Sequence, residues 1–322
     1  MKPIDLSIII VNFQSWDYLN NCLLSFKKYP PSVSYEIIVI DNDSQDEKFN
    51  HFQVQHSDVF FHENKGNYGF SHGCNLGATF AKGDYLLFLN PDTELTNDHS
   101  IDNMLDYLHS NSEIGIVSCR NVTPQGKGKE LRFVSPWMLF GFIRFFHRLI
   151  YKNEILKQYP PYSNVHFPEW VTGSVIMIKK QLFNKINRWN EERYWMYSED
   201  PDLCMKVKKQ GKKIALLTNL TIKHVEGGAS KPSIHSKIRY KTEDTISKHN
   251  YIQENSTSYS RSILHFLYFI KIQFYILLII LNLPFFWKDK FKIKTQVFIN
   301  CWKYYIHAFK SKSWKNPRLK NI

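Results

Sequence analysis

No two cysteines stand at CxxC spacing, and the five present (Cys22, Cys74, Cys119, Cys204 and Cys301) are odd in number. That argues against a disulfide framework and against a zinc site, and it fits a reducing compartment. The chain also lacks internal repeats and low-complexity stretches, which removes repeat architectures. Its opening residues run into an apolar strand pattern too short and too early for a signal peptide's hydrophobic region, so no export signal is expected. Acids are nearly missing at the other end: residues 288–322 hold ten Lys/Arg against the single acid Asp289. This +9 tail leaves only +4 of the net +13 for everything before it, so the basic character is read as belonging to an appendage. Long apolar runs are also scarce. The one candidate covers residues 262–287, interrupted by His265, Lys271, Gln273 and Asn282.

At 322 residues and 43% hydrophobic, the chain can bury a full core. Its first half alternates strand and helix signals, the pattern of a parallel sheet with crossover helices. Residues 6–11, 35–40, 58–61, 85–89 and 114–119 read as strands. Trp16, Leu19, Leu23 and Phe26 recur at helical spacing, residues 71–82 form a small-residue helix, and an Asn-Asp signal opens another over 98–110. A Gly/Lys-rich turn at 124–129 leads to an aromatic, basic segment at 131–151 on the acceptor or membrane side, followed by an irregular Pro- and Tyr-rich loop at 159–168. Residues 171–178 return to strand pattern, 200–210 to helix with Pro201 in its first turn, and 213–217 and 221–225 to two closing strands.

The chemistry lies at the strand ends, where open α/β sheets form their ligand crevice. Residues 84–94 (DYLLFLNPDTE) end an apolar strand in Asp92 on a Pro-stiffened turn, where a carboxylate can hold a divalent cation shared with substrate phosphates. Asp41 follows the second strand and can accept the imide N–H of a uracil or thymine ring; an Asx-turn made by Asp43 or Ser44 is the alternative for this loop. The glycines of NKGNYGF at 64–70, with Gly73 and Gly77, permit close approach of backbone to phosphate, or simply close packing. Asp200, before Pro201, reads as a helix cap or as a carboxylate at a cleft rim able to take a proton from a hydroxyl, and the two are compatible. His224, at a strand end before Gly227-Gly228, is either structural or part of a cation's shell.

Taken in order, SIIIVN at 7–12, VIDNDS at 39–44, NKGNYGF at 64–70, LFLNPDT at 87–93, WVTGS at 170–174, WMYSEDPDLC at 195–204 and HVEGGAS at 224–230 resemble the family 2 glycosyltransferases of GT-A fold, especially their bacterial rhamnosyltransferase-like branch. The resemblance spans about residues 5–230. It implies a Rossmann-like GT-A catalytic domain over 1–230, with a nucleotide-binding half to residue 120, an acceptor half from 121, and a helical, apolar and basic membrane-associating region over 231–322. It implies a donor site of Asn12, Asp41, Asn64, Gly69, Asn75, Asn90 and Asp92, with Asp41 reading the base. Asn90-Pro91-Asp92 stands at the family's Asp-x-Asp motif, with Asn90 in place of the first carboxylate. A Mg²⁺ or Mn²⁺ ion is expected on Asp92, with His224 assisting. Asp200 is implied as general base, with Glu199 beside it, and Trp170, Gly173, Trp195 and Tyr197 on the acceptor side. The reaction implied is a single inverting displacement from a nucleoside-diphosphate sugar. dTDP-L-rhamnose is the first donor expected, with UDP-GlcNAc, UDP-galactose or UDP-GalNAc as alternatives. The acceptor expected is a lipid-linked saccharide of surface polysaccharide synthesis, such as O-antigen or capsule.

Nucleic acid is not an expected partner, because the charge is terminal and adjoins an apolar segment instead of spreading with exposed aromatics over the body. A catalytically silent sugar-nucleotide-binding protein is opposed by the presence of both Asp92 and Asp200. The 262–287 run is long enough to span a bilayer. Basic residues on both flanks (Lys237, Arg239, Lys241, Lys248 and Arg261 before it, the tail after it) favour instead an interfacial helix or a re-entrant pair broken near 282–284, with a buried core or oligomer helix as the further alternative. The expected location is the cytoplasmic face of the inner membrane, against anionic lipid.

Overall fold

The computed structural model describes residues 4–122, 135–158, 163–225, 233–281 and 289–321. The turn at 124–129, the start of the Pro/Tyr-rich loop, the Gly227-Gly228 turn and the break at 282–284 lie outside the described residues. Strands β1 (Leu6–Asn12), β2 (Tyr35–Asp41), β3 (Phe60–Glu63) and β4 (Tyr85–Leu89) are joined by helices α1 (Trp16–Lys28), α2 (Lys48–Gln55) and α3 (Phe70–Phe80). A three-residue strand β5 (Thr93–Leu95) precedes α4 (Ser100–Ser110), and β6 (Ile114–Val122) follows. Then come α5 (Gly141–Ile150), α6 (Lys152–Gln158), β7 (Val165–His166), β8 (Val175–Lys179), α7 (Lys180–Lys185), α8 (Glu199–Lys209) and β9 (Lys213–His224). Three long helices close the chain: α9 (Ile234–Asn255), α10 (Ser258–Leu281) and α11 (Asp289–Ser311).

The sheet order is β3-β2-β1-β4-β8-β6-β9-β5, with β7 on β9. The strands β3, β2, β1 and β4 are parallel, whereas β8 enters antiparallel to both β4 and β6, so the sheet is mixed. Both faces are covered, which is why Ile8–Val11 of β1 read as a continuous apolar run. Ile8 and Ile10 enter the core under α1 and α4, while Ile9 and Val11 enter the core under α3 and α8, the strand period of two made visible.

Several expected boundaries shift. The third strand starts at Phe60, and β8 starts at Val175, leaving 171–174 as a loop. The two closing strands are one, β9, whose register slips against β6 between Cys119 and Arg120. All five cysteines are buried free thiols.

The C-terminal helices pack on the catalytic body. Asp202 of α8 accepts hydrogen bonds from Asn255 Nδ2 (2.7 Å) and from the Tyr194 hydroxyl (3.3 Å), and Arg193 pairs with Glu254 at 2.8 Å. Asp202→Ala would leave these donors without their buried acceptor and is expected to destabilise the fold by about 1–3 kcal/mol, read from the urea midpoint. An unchanged midpoint would mean that this contact does not hold α9 to the body. Among the helices, His249 bonds His265 (2.9 Å) and Tyr305 (3.1 Å), with Trp314 stacked on both imidazoles. Burial pushes both histidines down, His265 to about 4, so the cluster is neutral at neutral pH.

The basic tail is no separate appendage. Asn316 Nδ2 donates to the buried Glu243 (2.8 Å), Arg318 pairs with the same carboxylate, and its guanidinium lies 5.4 Å from the Trp195 ring centroid. Among the described residues, no helix is long and apolar enough to cross a membrane.

Candidate active site

β1, β2 and β4 run parallel and end at one edge of the sheet, where Asn12 pairs in register with Asp41. Strand order reverses across β1, the place where such sheets open a crevice. A cleft of about 310 Å³ lies there, walled by Asn42, Gly69, Asn90, Asp92, residues 172–174, Trp195, Tyr197, Glu199, Asp200 and His224.

The Asn90-Pro91-Asp92 turn is fixed at both ends. Asn90 N–H donates to Ser174 O (3.0 Å), and Thr93 returns its N–H (3.2 Å) and hydroxyl (2.7 Å) to Asn90 O. Because β5 starts immediately after Asp92 and pairs antiparallel with the end of β9, Thr93 stands opposite His224. The result is a contact of 3.2 Å between His224 Nε2 and Asp92 Oδ1. Sequence reasoning missed β5, a strand too short to show periodicity, and so had no element to bring these side chains together. Among the described residues no group of three or more His, Cys, Asp or Glu side chains is placed to hold a metal ion.

The opposite wall comes from the loop before α8. Trp195 Nε1 donates to Asn67 O (3.1 Å), Trp195 O accepts from Phe70 N–H (3.0 Å), and Ser247 Oγ of α9 holds Met196 O at 2.7 Å. A side chain at Gly69, with φ +94°, would collide with the Trp195 carbonyl, so this close approach requires glycine. Tyr197 and Ser198 then take left-handed conformations, φ +72° and +66°, strain that only a loop pinned on both sides would hold.

Asp200 is not a cap. Ser198 occupies the cap position, and Asp200, the second residue of the helix, faces Gly173, whose backbone N–H bonds its carboxylate. A methyl on Gly173 would run into Asp200 Oδ1. Burial raises Asp200 to about 6, and burial together with the charge of Asp200 holds Glu199 well above the usual carboxylate range. Burial thus raises both adjacent carboxyls, and Asp200, at about 6, ionises near neutrality. Glu199 Oε2 is buried with no hydrogen-bond partner among the described residues, in keeping with an uncharged group.

Other candidate positions lie behind this wall. Asn12 and Asp41 are fully buried: Asn12 Nδ2 donates to Asp41 (2.7 Å), which also takes the Ser44 N–H (2.8 Å) and hydroxyl (2.6 Å). Asp41 therefore makes the Asx-type turn itself and braces the loop carrying Asn42. Asn64 bonds Asn42 Oδ1 (2.7 Å), and Asn42 bonds Gly69 O (2.9 Å), so Asn64 supports a wall residue. Asn75 spends both ends of its amide on the Trp189 backbone, at 2.9 and 3.1 Å, and is a packing clamp. Trp170 lines a separate small hollow beside Asn121 and Leu216. Gly173, Trp195 and Tyr197 do line the cleft, as do Arg239 and Tyr240 of α9. These last two were beyond sequence reasoning, which counted Arg239 only as flanking charge; nothing local announces that α9 folds back over the cleft.

Both the sequence and the fold have known counterparts. The profile of glycosyl transferase family 2 matches residues 7–170. The chain is 28% identical over 210 residues to the low-salt glycan biosynthesis hexosyltransferase Agl10 of Haloferax volcanii, covering 64% of this chain and 62% of that protein, less than two thirds of its length. It is 29% identical over 214 residues to the rhamnosyltransferase WbbL of Escherichia coli, covering 63% of this chain and 77% of that one. Among solved structures, the mannosyltransferase PcManGT of Pyrobaculum calidifontis, in complex with GDP-Man and Mn²⁺, superposes with a TM-score of 0.52 at 11% identity, over 96% of this chain and 88% of that one. At that identity the likeness is one of fold alone, a GT-A-like α/β fold with a mixed sheet. Since the family profile covers half of the sequence and includes β1, β2 and the Asn90-Pro91-Asp92 turn that build the cleft, the chain belongs to glycosyl transferase family 2.

Proposed function

We propose that the chain is an inverting glycosyltransferase that moves a sugar from a nucleoside diphosphate to a lipid-linked saccharide. The observation that carries this reading is the pairing, in one cleft, of Asp200, raised to about 6, with the Asp92–His224 contact at 3.2 Å. An acceptor oxygen attacks the anomeric carbon, the bond to the diphosphate oxygen breaks, and the electron pair leaves with the diphosphate. The acceptor's proton goes to Asp200, whose affinity for it is suited to neutral pH. Burial disfavours a second negative charge on Glu199 beside the incoming hydroxyl.

One carboxylate and one imidazole, side by side in the cleft wall, suit a hard or borderline divalent ion that takes its remaining ligands from phosphate and water. What Mg²⁺ or Mn²⁺ held by Asp92 and His224 would supply is positive charge beside the diphosphate. Arg239 adds a fixed cation to the same cleft. Tyr197, exposed on the cleft wall that Trp195 backs, offers an aromatic face to the acceptor sugar, and Gly173 keeps space for its hydroxyl to reach Asp200. dTDP-L-rhamnose is the first donor to test, in view of the rhamnosyltransferase relative, with UDP-GlcNAc, UDP-galactose and UDP-GalNAc beside it.

The setting proposed is the cytoplasmic face of a membrane, in the synthesis of a surface polysaccharide, with residues 262–322 holding the protein on anionic lipid. Support comes from the outward apolar side chains of α10 (Ile263, Phe266, Ile270, Phe274) and of α11 (Ile299, Trp302, Ile306, Phe309), joined with the +9 tail. The test of function is a panel of nucleotide sugars, with and without Mn²⁺, read as release of nucleoside diphosphate. One donor should be turned over well above the rest and only with the metal. No release from any donor would overturn the reading.

A further inference from the structure

Helix α5 wears its apolar side chains on the outside. Phe142, Phe145, Phe146 and Leu149 stand at i, i+3, i+4 and i+7, a single stripe, and are 65%, 60%, 56% and 60% exposed. Ile143 and His147 are the residues that turn toward the protein, and none of the ten residues of the helix is buried. An ordinary surface helix buries such a stripe and shows water its charges. Here the charges, Arg144 and Arg148 with Lys152 just beyond, lie away from the stripe's centre, and no acid occurs between residues 135 and 153.

The helix is also held beside the proposed lipid-facing helices. Lys271 Nζ of α10 donates to Leu139 O (2.9 Å), and Phe140 and Ile143 share one apolar cluster with Tyr268 and Leu264 of α10.

We propose that α5 is a second membrane-contacting element, lying in the interface of an anionic bilayer with Phe142, Phe145, Phe146 and Leu149 among the acyl chains and Arg144 and Arg148 at the headgroups. Charge selects the bilayer over a second copy of the chain: pairing two α5 stripes would set these arginines against each other in a protein of net charge +13, whereas anionic lipid complements them. The inference rests on the proposed attachment of the chain to a membrane and adds a contact from the catalytic side, between β6 and β7 in sequence. Two contacts on different parts of the chain would fix the orientation of the cleft over the lipid instead of merely tethering it.

The test uses the full chain with Phe145→Cys, or separately Phe266→Cys on α10, carrying an environment-sensitive fluorophore; the native cysteines are all buried, so labelling goes to the new thiol. Phosphatidylcholine vesicles with and without phosphatidylglycerol are added. The proposal expects both probes to shift to the blue, more with phosphatidylglycerol. It also expects a Phe145→Glu/Phe146→Glu double variant to lose roughly tenfold or more in vesicle partitioning with an unchanged melting temperature. A shift at 266 without one at 145 would overturn the α5 contact and leave the C-terminal attachment standing. No shift at either would remove both. A shift at 145 that grows with protein concentration and needs no vesicles would show that a second copy covers the stripe, which also overturns the proposal.

Discussion

Asp200→Asn is expected to lower kcat by about 10²-fold or more while leaving donor affinity nearly unchanged. The amide keeps the shape of the side chain and can still accept from the Gly173 N–H, but it cannot take a proton. In the wild-type protein kcat/KM should rise with pH through a limb near 6, the value to which burial raises Asp200, and the variant should lose that limb. Stability should move the other way. A carboxyl whose folded pKa lies above its unfolded value near 4 contributes stability that is fully present below that value and is lost as pH rises through about 6. At neutral pH the buried charge is a net cost, on the order of 1–3 kcal/mol, and Asp200→Asn removes it. The variant should therefore melt higher at pH 7.5 and no higher at pH 4. Loss of turnover with a gain of stability separates a catalytic group from a structural one. Full turnover in Asp200→Asn would shift the role to Glu199, because Asp202 is occupied by Asn255 and Tyr194.

Asp92→Ala is expected to abolish the Mn²⁺-dependent part of donor binding, measured by titration calorimetry with metal present and after chelation. The loss should be at least the ~10–100-fold that removing a supporting contact costs at a metal site, since no second carboxylate stands at Asn90 to take over. His224→Ala should weaken binding in the same direction by less. Equal donor affinity in wild type and Asp92→Ala, with and without Mn²⁺, would show that this turn holds no cation.

The strands of the nucleotide half were legible because a sheet covered on both faces writes itself as apolar runs, and Asp92, Glu199 and Asp200 were legible because each follows a strand or opens a helix. Position along a strand says less about depth. Asn12 and Asp41 sit at strand ends, as expected of ligand groups, yet Ser15, Ser44 and each other's side chains absorb their hydrogen bonds, a network only the folded loop reveals. Asn75 was expected in the donor site, whereas the Trp189 backbone, more than a hundred residues on, takes both ends of its amide. Arg239 and Tyr240 reach the cleft only because α9 turns back along α8, and Arg318 meets Glu243 and Trp195 only because the tail does the same. The apolar stripe of α5 was visible as composition, but its direction was not: whether Phe145 points inward or outward is decided by what packs beside it.

The central claim, that a single displacement is driven by Asp200 from the acceptor side of this cleft, is most directly tested by the anomeric configuration of the product, read by proton NMR once the donor panel has supplied a substrate. The account predicts a glycosidic bond of configuration opposite to that of the nucleotide sugar, formed with one nucleoside diphosphate released per bond. A product that retains the donor's configuration would contradict it.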